Sequence, residues 1–257
     1  MNRDERIRRT FTALAPGYEA SMDRELRRGL GLGYRELVDA LIEEAAPDTG
    51  EWVLDLATGT AYLARRLAGH VAGKGRIVGL DITPAMLLEA RARTASAGLS
   101  GAIHLVCGSG LAMPLASDRF DVVLCTYGAH HMDPTALLAE LRRVLRPGGR
   151  LVMAAAGAPA AWRARPARPL IEMLTASARL LDRHARMQAE VEAFRNIRTS
   201  AEWRRLLADS GFVHADVAER RPRRPWYPRD LRIKAQARES EPHRSLNRHI
   251  EWREMDK

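Results

Sequence analysis

An α/β doubly wound sheet is the fold class this sequence predicts, on three observations. From residue 51 onward, short apolar runs alternate with helical segments. The runs are continuous rather than every-other-residue, as parallel strands buried on both faces require. The run 52–56 ends in a small-residue turn and the run 77–80 ends in an acid, and each then opens into a helix, the arrangement that places ligands at the carboxyl edge of an open sheet.

The elements follow in order. Residues 3–14 read as a helix, broken at Ala15-Pro16-Gly17, and a longer helix is expected over 22–46, with Leu37, Leu41 and Ile42 on its apolar face. Pro47-Asp48-Thr49-Gly50 stops it. Strands are expected at 52–56, 77–80, 103–107, 120–125 and 151–156, with helices at 62–67, 84–97 and 134–145 between them. An Ala/Arg/Pro-rich stretch then interrupts the alternation, and an amphipathic helical region at 170–195 makes 158–198 read as an insertion. A helix at 201–209 and two more strands, 212–218 and 231–237, follow. The predicted organisation is a helical cap over 1–46, one domain over 47–239 and a polar tail over 240–257. There is no internal repeat of about 20–50 residues.

Composition sets the class. The chain has 257 residues, 46% hydrophobic and 28% charged, which is ordinary for a globular protein. No apolar run reaches the roughly 18 residues a membrane helix needs, and the N-terminus lacks an apolar signal stretch, so a cytoplasmic protein is expected. The net charge of +9 is almost entirely arginine, with lysine only at Lys74, Lys234 and Lys257. Such a balance favours acidic partners but does not determine fold. Cys107 and Cys125 each end an apolar run and are expected to be buried, inert thiols; neither spacing suggests a metal site.

The chemistry concentrates at strand ends. In the turn Ala57-Thr58-Gly59-Thr60-Ala61 the small residues let a ligand approach the backbone and leave the next helix N-terminus open. Asp55, just before it, would repel a pyrophosphate and suits an amino-bearing ligand. Asp81 ends the next strand 22 positions after Gly59, where a carboxylate can accept both hydroxyls of a ribose. A helix cap for the segment starting at Pro84 is its bland alternative. The segment 126–132 follows the fourth strand at the switch point of the sheet, and there His131 is placed to take a proton; packing or loop bonding is the alternative for both histidines.

Together, 53–60, 79–83, Met113-Pro114-Leu115 with Phe120-Asp121-Val122-Val123, and 145–151 stand in an order that resembles class I S-adenosylmethionine-dependent methyltransferases. The likeness is strongest to the ubiquinone/menaquinone-biosynthesis C-methyltransferase group and covers roughly residues 6–157. It implies a Rossmann-like, mostly parallel seven-stranded sheet. By position it makes Ala57, Thr58 and Gly59, next to Asp55, the cradle for the methionine part of S-adenosyl-L-methionine. Asp81 becomes the ribose ligand, Ile82 an adenine wall, and Met86 a neighbour of the adenine face. Gly108, Ser109, Gly110, Leu111 and Thr126 complete the cofactor set, with S-adenosyl-L-homocysteine as product. The resemblance also implies catalytic roles for His131 and His130 and has residues 11–18 close over the cofactor, with Tyr18 facing the sulfonium or its carboxylate; docking of the N-terminal helices by Phe11 and Tyr18 is the alternative. Two positions depart from the pattern: Ser109 stands where an aspartate is common, and Ala61 where glycine is common.

The function expected is in-line methyl transfer to a small or medium-sized, largely apolar acceptor, with the protein chiefly aligning the reactants and excluding water. A cyclase or rearrangement enzyme that does not consume the cofactor is the alternative. An RNA methyltransferase using Arg220, Arg221, Arg223 and Arg224 with Trp226 and Tyr227 is a third reading. No metal, no nucleic acid and no integral membrane association are expected; a homodimer is left open.

Overall fold

The computed structural model describes residues 3–71, 76–159, 193–223 and 228–239. Most of the expected insertion, including 170–192 of its helical region, the tail 240–257, and Arg224, Trp226 and Tyr227 lie outside the described residues.

Helices α1 (Arg3–Leu14), α2 (Tyr18–Gly29) and α3 (Tyr34–Ala45) precede the sheet. Then come β1 (Trp52–Leu56), α4 (Tyr62–Leu67), β2 (Arg76–Asp81), α5 (Pro84–Ser96), β3 (Ile103–Cys107), β4 (Phe120–Thr126), a 3-10 turn (Ala129–His131), α6 (Pro134–Val144) and β5 (Leu145–Gly157). The described chain closes with α7 (Ser200–Asp209), β6 (Phe212–Arg220) and β7 (Arg229–Ala237). The seven-stranded sheet runs β3-β2-β1-β4-β5-β7-β6. Its β1–β5 pairings are parallel, and β7 joins β5 antiparallel and pairs with β6 antiparallel. The carboxyl ends of β1 and β4, neighbours at the middle of the sheet, are the switch point.

The continuous apolar strands are explained by two cores. Leu54 and Leu56 of β1, with Val123 and Cys125 of β4, face the layer of α6 and α7, where Leu137, Leu141 and Trp203 are buried. Val53, Val122 and Leu124 point the other way, toward Leu37, Leu41 and Leu63 of α3 and α4. Strand side chains alternate between faces, so a strand covered on both sides is apolar at every position. Among the described residues no helix is long and apolar enough to cross a membrane.

Three expectations are corrected. The single helix over 22–46 is two helices, because Gly29-Leu30-Gly31-Leu32-Gly33 breaks it. Gly31 turns left-handed at φ 73°, its N–H donating back to Leu26 at 3.1 Å, and α3 restarts where the Gly33 N–H donates to the Glu36 carboxylate and the Tyr34 N–H to Asp23, both at 2.9 Å. The fifth strand begins at Leu145, not 151: Leu145 pairs with Phe120, and a register irregularity absorbs the Arg-Pro-Gly-Gly turn before Arg150 meets Val122. Cys107 is exposed, since it ends the edge strand β3, whereas Cys125 is buried and its thiol is pushed up to about 12 by burial.

Candidate active site

The turn after β1 winds through three left-handed residues, Ala57 at φ 56°, Gly59 at 54° and Ala61 at 60°. Two of these are alanines, which do not adopt that conformation by preference. Hydrogen bonds impose it. The Thr58 N–H donates to the Leu80 carbonyl at 3.0 Å, tying the turn to β2. Behind it, Asp55 Oδ2 accepts the Thr58 hydroxyl at 2.6 Å and the Ala64 N–H at 3.2 Å. Asp55 is 1% exposed, and burial raises its pKa to about 7, against the pull of those two bonds. It braces the turn from the core side rather than facing the cavity above.

Asp81 ties the same turn from the other side. Its Oδ2 accepts the Gly59 N–H at 2.9 Å and its Oδ1 the Thr83 N–H at 2.8 Å. The Thr83 side chain and the Ile82 backbone also act on this carboxylate, which lines the cavity. Burial pushes the carboxyl above its ordinary range, and the backbone donors of Thr83 and Gly59 pull it back. Asp81 is not the cap of α5, whose N-cap residue is Thr83; it bonds that residue's own N–H and lines the cavity.

Above these turns lies a cavity open to solvent, enclosing about 700 Å³ of space with its open mouth included. Ala57, Gly59, Asp81, Ile82 and Met86 line one side. Gly108, Ser109, Gly110, Leu111 and Thr126 line another, and Tyr18 and His131 face in from the rim. Asp55, Thr58 and His130 are buried behind this lining at 1%, 6% and 7% exposure. The Ala61 methyl, fully buried, packs into the core between α3 and α4 and does not reach the cavity.

The turn after β4 is built differently. Gly128 is required there by contact, because a Cβ would stand 2.4 Å from the Ala57 methyl; the two turns touch. Tyr127 is left-handed at φ 52°, its N–H donates to Ala154 at 2.8 Å, and its hydroxyl donates to Asp230 at 2.8 Å. Asp230 is fully buried on β7, where Arg232 Nε also donates to it at 3.2 Å. Asn196 donates to the His130 carbonyl at 3.1 Å, and Arg3 to the His131 carbonyl. The His130 and His131 rings lie 4.1 Å apart, and Phe11 packs edge-on to His131 at 5.2 Å. Burial lowers the His130 pKa to about 4. It holds His131 well below its ordinary value, with His130 and Arg3 adding to the effect. Both imidazoles are neutral at neutral pH, so His131 presents a nitrogen lone pair.

Helices α1 and α2 roof the cavity. Asp4, Ile7 and Phe11 reach it from one face of α1, at i, i+3 and i+7. Arg8 donates to the Ile82 carbonyl at 3.1 Å, and Glu19 of α2 accepts the Thr60 hydroxyl at 2.7 Å and Arg65 at 2.6 Å. Sequence reasoning places Tyr127 and Met132 at the site only as part of the segment 126–132, and it misses Asp4, Ile7 and Asp230. The helical spacing of Asp4, Ile7 and Phe11 was the available signal; Asp230, a strand away, offered none. Among the described residues no group of three or more His, Cys, Asp or Glu side chains is placed to hold a metal ion.

Residues 53–149 match the family described as "Methyltransferase domain". The chain is 33% identical over 150 residues to a ubiquinone/menaquinone biosynthesis C-methyltransferase of Roseobacter denitrificans, covering 58% of each chain. It is 37% identical over 153 residues to a demethylmenaquinone methyltransferase of Deinococcus radiodurans, covering 59% of this chain and 61% of that one. The aligned region thus spans about three-fifths of the length of these curated relatives. Among solved structures, the [4+2]-cyclase SpnF superposes with a TM-score of 0.69 at 16% identity, covering 91% of this chain and 96% of that one, a likeness of fold alone.

Proposed function

We propose that this chain, which carries a methyltransferase domain over residues 53–149, is an S-adenosylmethionine-dependent methyltransferase acting on a small or medium-sized, largely apolar metabolite of the quinone type. The observation that carries the reading is Asp81, which braces the Gly59 turn while facing the cavity. A cavity-lining carboxylate beside an accessible backbone turn fits the ribose and amino-acid ends of an adenosyl ligand. The relatives' names favour a quinone-type acceptor.

In this reading Ala57, Thr58 and Gly59 hold the amino-acid end by their backbone, with Asp55 fixing the turn from behind. Asp81 holds the ribose, Ile82 and Met86 flank the adenine, and Gly108, Ser109, Gly110, Leu111 and Thr126 complete the wall. S-adenosylmethionine, when bound, supplies a methyl group already activated on a sulfonium, so alignment and water exclusion are the chief demands on the protein. Phe11 and Ile7 of the α1 roof exclude water, and Tyr18 lies beside Gly59, within 3.6 Å of where a Cβ there would stand. His131, neutral and cavity-facing, takes the proton an acceptor hydroxyl or activated ring carbon gives up. His130 backs that ring as a positioning residue.

Calorimetric titration with S-adenosylhomocysteine, followed by a methyl-transfer assay with demethylmenaquinone as acceptor, tests the proposal. Saturable binding and a product heavier by one methyl group are expected. A product of unchanged mass with the cofactor intact would favour the cyclase alternative, and no binding would remove the reading altogether.

A further inference from the structure

Two carboxylates face the cavity, Asp81 and Asp4, and they differ in what they already hold. Asp81 accepts two backbone N–H groups. The Asp4 side chain, among the described residues, makes no hydrogen bond and no ion pair. Both Asp4 and Glu5 sit in the first turn of α1, where negative charge is favoured. Glu5 meets that preference from the exposed side, so the helix terminus does not account for a carboxylate turned toward the cavity.

The neighbours of Asp4 fix its place along the rim. Arg3 anchors the start of α1 at the His131 carbonyl, next to Met132. Met132 lies directly on the 108–111 turn, with its sulfur 2.6 Å from where a Cβ on Gly110 would stand. One turn further along α1, Arg8 anchors at the Ile82 carbonyl. Asp4 therefore stands between the Ile82 wall and the 108–111 turn. Phe11, nearly two turns on, stands by His131 and Tyr18 toward the Gly59 end. The Ser109 hydroxyl of that turn already accepts the Leu111 N–H at 3.3 Å. The end of the cavity near Ile82 thus presents an uncommitted carboxylate from the roof above a partly committed hydroxyl from the wall.

We infer that Asp4 is a specificity-determining residue that accepts a hydrogen bond from the exocyclic amino group of the adenine, so that the roof helix, and not only the sheet edge, reads the base. This rests on the adenosyl reading proposed above. A carboxylate is an acceptor only, so it favours the amino group of adenine and disfavours the carbonyl that replaces it in hypoxanthine.

The experiment titrates the full chain and its Asp4→Ala and Asp4→Asn variants with S-adenosylhomocysteine and with its deaminated analogue, S-inosylhomocysteine. Wild type is expected to bind the adenosyl compound about tenfold or more tighter than the inosyl one, the scale of a hydrogen bond to a charged group. Asp4→Ala should weaken S-adenosylhomocysteine by a similar factor and leave S-inosylhomocysteine unchanged. Asp4→Asn, which offers a donor as well as an acceptor, should narrow the preference. Unchanged S-adenosylhomocysteine affinity in Asp4→Ala overturns the inference, even if acceptor KM rises. Equal losses for both ligands overturn it too, placing Asp4 in roof closure rather than base recognition. If wild type binds neither compound, the adenosyl reading fails, and the inference with it. That outcome is distinct from equal binding of both by wild type, which removes the inference alone.

Discussion

The turn after β1 and the turn after β4 meet at the centre of the sheet, Ala57 against Gly128, yet they are held by opposite means. The first is braced by carboxylates close in sequence or on the adjacent strand: Asp55 within the turn's own strand and Asp81 on β2. The second is held from afar, by Asp230 on β7, Asn196 before α7 and Arg3 on α1. A locally braced turn keeps its shape whatever is appended to the chain. A turn assembled from distant elements changes when those elements change. In the reading proposed above, Ala57–Gly59 of the first turn hold the cofactor and His131 of the second serves the acceptor, a division of labour that matches that difference.

The largest test removes the shared brace. Asp81→Ala is expected to lower S-adenosylhomocysteine affinity by at least about 100-fold, since it removes the charged acceptor for two hydroxyls and frees the Gly59 and Thr83 N–H groups. Titration calorimetry reads this directly. A loss under about threefold would mean that the first turn does not hold the ligand.

Next in size is the buried brace itself. The Asp55 pKa of about 7 lies above its unfolded value, so the folded state holds the proton more tightly between roughly pH 4 and 7. The stability this contributes is present at low pH and is lost as pH rises through 7. Asp55→Asn keeps an oxygen for Thr58 and Ala64 without the buried charge. In urea unfolding curves it should therefore stabilise the chain more at pH 8 than at pH 5, by a difference on the order of 2 kcal/mol. The histidine pair acts with the other sign. Their folded pKa values lie below 6.5, so their contribution is lost as pH falls from about 6.5 toward 4, while the unfolded chain takes up protons that the folded state refuses. The two turns thus bound the stable pH range from opposite sides.

The same contrast explains what the sequence made legible. The strand ends, Asp55, the Gly59 turn and Asp81 could be placed from residue order because each partner lies one strand away. By sequence Asp55 suits an amino-bearing ligand, whereas its bonds go to Thr58 and Ala64; a strand residue's choice between facing ligand and bracing backbone is decided by which side the turn closes on. The helix break at 29–33 was visible in three alternating glycines and lost to the apolar period of Leu37, Leu41 and Ile42. Tyr127 and Asp230 are 103 positions apart, and no local pattern joins them. Sequence alone does not expose Cys107, because an edge strand and a central one carry the same apolar composition while only the central one is covered twice.

A sharper test separates the two turns. Tyr127→Phe leaves the ring in place and strands a buried Asp230 oxygen, so a stability loss of about 1–2 kcal/mol is expected. If the second turn serves the acceptor, kcat/KM for the acceptor falls several-fold while S-adenosylhomocysteine affinity stays within about twofold. Equal losses in both would show that contact between Ala57 and Gly128 couples the turns, and the division of labour would be wrong.

The smallest effect is expected at Ala61, and its smallness is informative. A left-handed alanine costs about 1–2 kcal/mol relative to glycine. Ala61→Gly relieves that strain, but it gives up a buried methyl at about 0.8 kcal/mol and adds roughly 0.4–1 kcal/mol of unfolded-chain entropy. The terms cancel to within about 1 kcal/mol, so the melting temperature should move by no more than about 4 °C. Because the methyl points into the core between α3 and α4, S-adenosylhomocysteine affinity should also stay within about twofold. A tenfold gain in affinity would mean that the alanine holds the first turn away from its ligand-binding shape. The local brace would then be a constraint on function rather than its support.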